Sequence, residues 1–111
     1  MAVQKWDDET LVVRLSDDPV LSEDMGEVNS RLDQASRDVV LDMSDLGLLT
    51  SSGISSLLRL RKRMAEAGRR LVLCSPQDGV WSVFLSTGLD TIFTLAENVT
   101  GALTLLQGGS V

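Results

Sequence analysis

A chain of 111 residues with 43% hydrophobic composition can bury one core and is too short for two, so a single domain, residues 1–111, must carry the function. Its net charge of -6, with 12 acidic against 4 basic side chains in residues 1–45, argues against nucleic acid as a direct partner. Histidine is absent and cysteine occurs once, which removes Ser-His-Asp and Cys-His pairs, the usual zinc ligand sets and any internal disulfide. No catalytic residue, metal ligand or cofactor is expected, and Cys74, closing the apolar run "LVLC", reads as a small buried filler.

In chain order, the leading segment "AVQKW" is expected to hairpin through "DDE" and add an antiparallel edge strand. Four apolar runs then read as strands: "TLVVRLS" (10–16), "DVVLDMS" (38–44), "RLVLCS" (70–75) and "TIFTLA" (91–96). Between the first two, Met25, Val28, Leu32 and Ala35 recur at helical spacing, with Ser22 as N-cap and Glu23 and Asp24 in the first turn. A second helix carries Ile54, Leu57, Leu58, Met64 and Ala65 on its apolar face, with Arg61 snorkelling outward, and stops near Gly68. A third fits "QDGVWSVFLSTG", burying Val80, Val83 and Phe84 and ending at Gly88. The last fits "ENVTGALTLLQ", with Val99, Ala102, Leu103 and Leu106 in a stripe, before a flexible tail over 107–111.

Strand and helix alternate four times, which favours a largely parallel sheet with right-handed crossovers. In the first full strand Leu11, Val13 and Leu15 oppose Arg14; in the second Val39, Leu41 and Met43 oppose Val40 and Asp42. A charge on the second face of both strands predicts a two-layer α/β sandwich, four or five strands with helices chiefly on one face. No apolar run approaches the roughly 20 residues that span a bilayer, and "MAVQKWDDET" has no apolar signal core, so a cytoplasmic protein without membrane insertion is expected. All six basic residues after position 45 fall between Arg59 and Arg70, where they read either as a local basic patch or as the solvated C-terminal turns of a helix.

The stretch "LGLLTSSGISSLLRL" sets three hydroxyls, Thr50, Ser51 and Ser52, before Gly53 at the point where a buried strand gives way to the second helix. One of them capping the helix is the plain reading. The same geometry also suits a phosphate ester on Ser51 or Ser52, because free N–H groups and the helix dipole stabilise negative charge. Neither a Walker lysine nor a G-x-G-x-x-G pattern is present, and Thr50 and Ile54 stand where a nucleophile elbow needs glycines.

The pieces "VLDMSDL", "TSSG", "AGRRLVLCSP" and "STGLDTIF", in that order, resemble the STAS domain of bacterial anti-sigma factor antagonists, and with "TLVVRLS" and "GALTLL" the likeness covers nearly the whole chain. The resemblance implies a STAS-like fold and a binding role rather than catalysis. In that family the serine after an aspartate, in D-S-S-G or D-S-T-G, is phosphorylated by a partner anti-sigma factor that is itself a GHKL-type serine kinase. The unmodified protein binds the kinase and frees the sigma factor, and a PP2C-type phosphatase reverses the modification. The matching residue is Ser51, with Ser52 behind it, and the implied partner surface comprises Asp17, Asp18, Thr50, Ser51, Ser52 and Gly53. Two departures stand out: Thr50 replaces the motif aspartate, and the acidic turn after the first full strand reads "DDPV", with Val20 at its last acidic position and Asp17 and Asp18 nearby. The alternative implied by the same likeness is an unmodified scaffold or subunit of a larger regulatory or lipid-transport assembly.

Overall fold

In the computed structural model, which describes residues 3–108, a five-stranded sheet is ordered β1-β2-β3-β4-β5. Strand β1 (Val3–Asp7) pairs antiparallel with β2 (Thr10–Ser16), and the Asp7 carboxylate accepts the Glu9 N–H at 2.8 Å to close the turn. Strands β3 (Asp38–Asp45), β4 (Leu71–Cys74) and β5 (Thr94–Ala96) follow in parallel, with Val12, Val40, Val72 and Thr94 in one register. Helices α1 (Val20–Gln34), α2 (Ser51–Glu66) and α3 (Asp78–Thr87) form the crossovers, and α4 (Val99–Gly108) follows β5.

The position of the helices follows from the strand order. Each parallel strand is added on the same side of its predecessor, so crossovers of one hand all fall on one face. There α1, α2 and α3 close the main core over Leu11, Val13, Leu15, Val39, Leu41, Met43 and Leu73. Helix α4 leads to no further strand, and it packs on the other face with Ala102 and Leu103 over Val40, Val72 and Cys74. The helices are thus chiefly on one face, with α4 covering part of the second. The charges expected there form an ion pair: Asp42, only 5% exposed, lies 3.5 Å from the exposed Arg14.

Several local expectations are corrected. Helix α1 starts at Val20 behind Pro19, so Ser22 lies inside it rather than capping it, and its hydroxyl donates to Asp18 at 2.8 Å. The buried stripe of α2 is Gly53, Leu57, Leu60 and Met64, while Leu58 and Ala65 face outward. Strand β5 is shorter than "TIFTLA" because a 3-10 turn occupies Leu89–Thr91 and Phe93 drops into the main core. Gln107 and Gly108, expected in the tail, belong to α4; residues 109–111 and Ala2 lie outside the described residues.

Candidate functional site

The site is assembled where β3 ends and α2 begins. After Asp45 the chain must turn within five residues before the helix starts, and that short loop carries backbone donors that no strand can pair. Asp17, from the loop between β2 and α1, supplies the missing acceptor. Its Oδ1 takes the N–H of Gly47 at 2.9 Å and of Leu48 at 3.1 Å. From the other side the Gln77 side chain donates to the Ser44 carbonyl at 2.7 Å. Asp17 is therefore an organising group of the loop rather than a free rim charge, a role its sequence position does not reveal.

Thr50, and neither serine, is the N-cap of α2: its backbone is extended and its Oγ1 accepts the Gly53 N–H at 3.0 Å. The same hydroxyl approaches Asp18 Oδ2 at 3.5 Å. Threonine and aspartate both cap helices, so the replacement of an aspartate by Thr50 keeps the helix start and gives up its charge. Asp18 returns a carboxylate to that corner. Gly53 faces inward, where an added Cβ would stand 3.3 Å from Leu49 and 3.6 Å from Leu21. Its lack of a side chain serves the close packing of α2 on α1 and the loop.

Ser51 and Ser52 are the first two residues of the helix and both are exposed. Among the described residues neither hydroxyl makes a hydrogen bond, and the Ser51 and Ser52 N–H groups are without an acceptor, while Gly53 and Ile54 donate to Thr50. The capping and charge-bearing roles thus fall on adjacent residues. Two exposed apolar side chains flank them: Leu48, 65% exposed, and Val20, 41% exposed. Both are tied to Asp17, Leu48 through its own N–H and Val20 through its N–H to the Asp17 carbonyl at 3.2 Å. Leu48 is not singled out by the sequence, because it stands between Leu46 and Leu49, both buried, and only the course of the loop turns it outward.

Among the described residues the arrangement presents a loop and helix start held by Asp17, Gln77 and Thr50, with polar and apolar groups to the outside, the form of a recognition surface. The chain belongs to the STAS domain family, whose family model matches residues 3–102. A relative from Bordetella bronchiseptica, BtrV, described as a candidate anti-sigma factor antagonist, is 32% identical over 72 residues, a stretch covering 65% of this chain and 62% of the relative. Among solved structures, a candidate anti-sigma factor antagonist from Thermotoga maritima superposes with a TM-score of 0.82 at 18% identity, covering 91% of this chain and 90% of that one. The anti-sigma factor antagonist SpoIIAA in its unphosphorylated form gives a TM-score of 0.81 at 22% identity, covering 96% and 95%. At these identities the superpositions establish the fold. Among the described residues no helix is long and apolar enough to cross a membrane.

Proposed function

We propose that this chain is an anti-sigma factor antagonist: a binding module that sequesters an anti-sigma factor and is switched by phosphorylation of Ser51. The observation that carries the reading is the division of labour at the start of α2, where Thr50 caps the helix and leaves the adjacent, exposed Ser51 hydroxyl uncommitted. A phosphoryl group added there leaves the cap intact. It gains the unpaired N–H groups of the first turn and the positive end of the helix dipole, so the fold tolerates the charge. A partner closing over Leu48, Val20 and the Ser51 start would meet a desolvated dianion beside Asp18, and binding is lost through repulsion and desolvation. The transferring enzyme in this reading is the anti-sigma factor itself, a GHKL-type serine kinase, and a PP2C-type phosphatase reverses the step. The family context and the relatives described as anti-sigma factor antagonists support this assignment.

The test uses the purified chain, a candidate GHKL-type anti-sigma factor kinase from the same organism and labelled ATP. Label is expected on wild type and on Ser52→Ala but not on Ser51→Ala, while Ser51→Ala retains kinase affinity and Ser51→Asp loses it at a melting temperature no lower than that of wild type. Label on Ser52 alone would move the switch by one residue. Equal kinase affinity for wild type and Ser51→Asp with no label incorporated would leave an unmodified scaffold.

A further inference from the structure

The basic stretch from Arg59 to Arg70 runs toward the opposite pole of the sheet; Met64 alone lies roughly 20 Å along α2 from Ser51 at the helical rise of about 1.5 Å per residue. Two of its members are neutralised locally. Arg63 is paired with Asp33 at 2.6 Å, and Arg69 with Glu9 at 2.8 Å and Asp38 at 3.2 Å. Arg61 and Arg70 are in a different position. The Arg61 Nε donates to the Ile92 carbonyl at 3.0 Å and the Arg70 guanidinium donates to the Leu105 carbonyl. Among the described residues neither has a carboxylate partner. A guanidinium carries five N–H donors, so both keep unused donors while their single carbonyl contact holds them in place.

Arg61, Arg69 and Arg70 line one cavity of about 290 Å³, whose wall contains no acidic residue and whose apolar part includes Met64, Leu71 and Phe93. We infer that this cavity binds a small organic anion, a carboxylate or phosphate monoester carried on a compact apolar group. Forked guanidinium donors match the paired oxygens of either anion, and the apolar wall receives the remainder of the molecule. The C-terminal dipole of α2 opposes an anion, and the competing account is that Arg61 and Arg70 serve only to satisfy carbonyls at element ends. The two accounts part on the unused donors: capping requires one N–H from each arginine, anion binding requires the rest.

The full chain is titrated with phenyl phosphate, benzoate, inorganic phosphate and neutral benzyl alcohol, at low and at high salt, following backbone amide shifts. The inference expects saturable shifts centred on Leu71, Ile92 and Phe93 with phenyl phosphate or benzoate, and whichever binds tighter identifies the anion. Inorganic phosphate and benzyl alcohol should each bind about ten-fold more weakly, because each offers half of the recognition. Arg61→Gln should weaken binding by about ten-fold at an unchanged melting temperature, and Arg61→Lys should rescue only part, since it restores charge without the fork. Lys62→Gln removes the same charge outside the cavity and should leave affinity within about two-fold. Equal binding of inorganic phosphate and phenyl phosphate, an equal effect of Lys62→Gln and Arg61→Gln, or no saturable shift would each overturn the inference and leave carbonyl capping as the role of these arginines.

Discussion

The two ends of α2 are surrounded by opposite charge. At the start, unpaired N–H groups are met by oxygen: Thr50 takes Gly53, and Asp17 takes the loop donors just before it. Beyond the last turn, the chain returns to the sheet through Arg69 and Arg70, whose guanidiniums donate to Glu9 and to the Leu105 carbonyl. Arg63, in the last turn itself, joins α2 to Asp33 of α1. The start is acidic and leaves two serines unengaged, whereas the end is basic and engages most of its side chains. A helix start whose cap is supplied by a neighbouring residue, and whose first N–H groups are still unpaired, can carry an exposed group that gains negative charge without loss of structure. That condition is met at Ser51.

The comparison can first be tested on what the two ends share. Leu57, near the start, is 1% exposed and Met64, near the end, 2%, and both pack into the main core. Truncation of either to alanine should lower stability by about 2–5 kcal/mol, read from denaturant unfolding with unchanged m-value. If Leu57→Ala were much the milder of the two, the start of α2 would be loosely seated and the fixed geometry argued for Ser51 would fail.

Asp17→Ala comes next. Hydrogen bonds to a charged acceptor contribute about 1.5–3 kcal/mol when shielded, and exposure of this loop reduces the expected loss to about 1–2 kcal/mol. Asp17→Asn keeps an acceptor oxygen and should recover part of it. Amide exchange at Gly47 and Leu48 should accelerate in both variants, most in the alanine. Exchange unchanged from wild type would mean that the carboxylate does not hold the loop.

The strands and the main-core face of the sheet were legible in the sequence because both faces of the sheet leave periodic marks, whereas the order of the strands in the sheet comes from the structure. Leu11, Val13 and Leu15 against Arg14, and Val39, Leu41 and Met43 against Asp42, fix which side carries the main core. The start of α1 differs from its sequence expectation because serine before two acids looks like a cap, and the structural role of Asp17 and Asp18 one turn earlier is a contact across 30 or more residues that no local pattern encodes. Leu58 was placed inward because a run of leucines fits two helical faces equally well. Only the packing into the main core decides between them, and it selects Gly53, Leu57, Leu60 and Met64. The hydroxyl cluster was visible as a group, but its internal assignment depends on the single residue at which the backbone turns helical. Thr50 is extended and Ser51 is not.

That assignment yields the smallest effect and the sharpest contrast. Thr50→Ala removes the acceptor for Gly53 and should lower stability by about 1 kcal/mol, while Thr50→Asp, which also caps, should restore it. Ser51→Ala removes a hydroxyl with no partner at an exposed first-turn position, so its effect should stay within about 0.5 kcal/mol. Ser51→Asp should be neutral or slightly stabilising, because an acid in the first turn complements the dipole by about 0.3–1 kcal/mol at low salt. Thr50 is half-buried and Ser51 exposed, so Thr50→Asp, which keeps a capping oxygen, is the control that separates loss of the cap from loss of contact. Urea unfolding of all four variants in one buffer would decide it. A loss of about 1 kcal/mol at Ser51 instead of Thr50 would return the serine to the capping role and remove the physical basis for treating it as a hydroxyl held in reserve for modification.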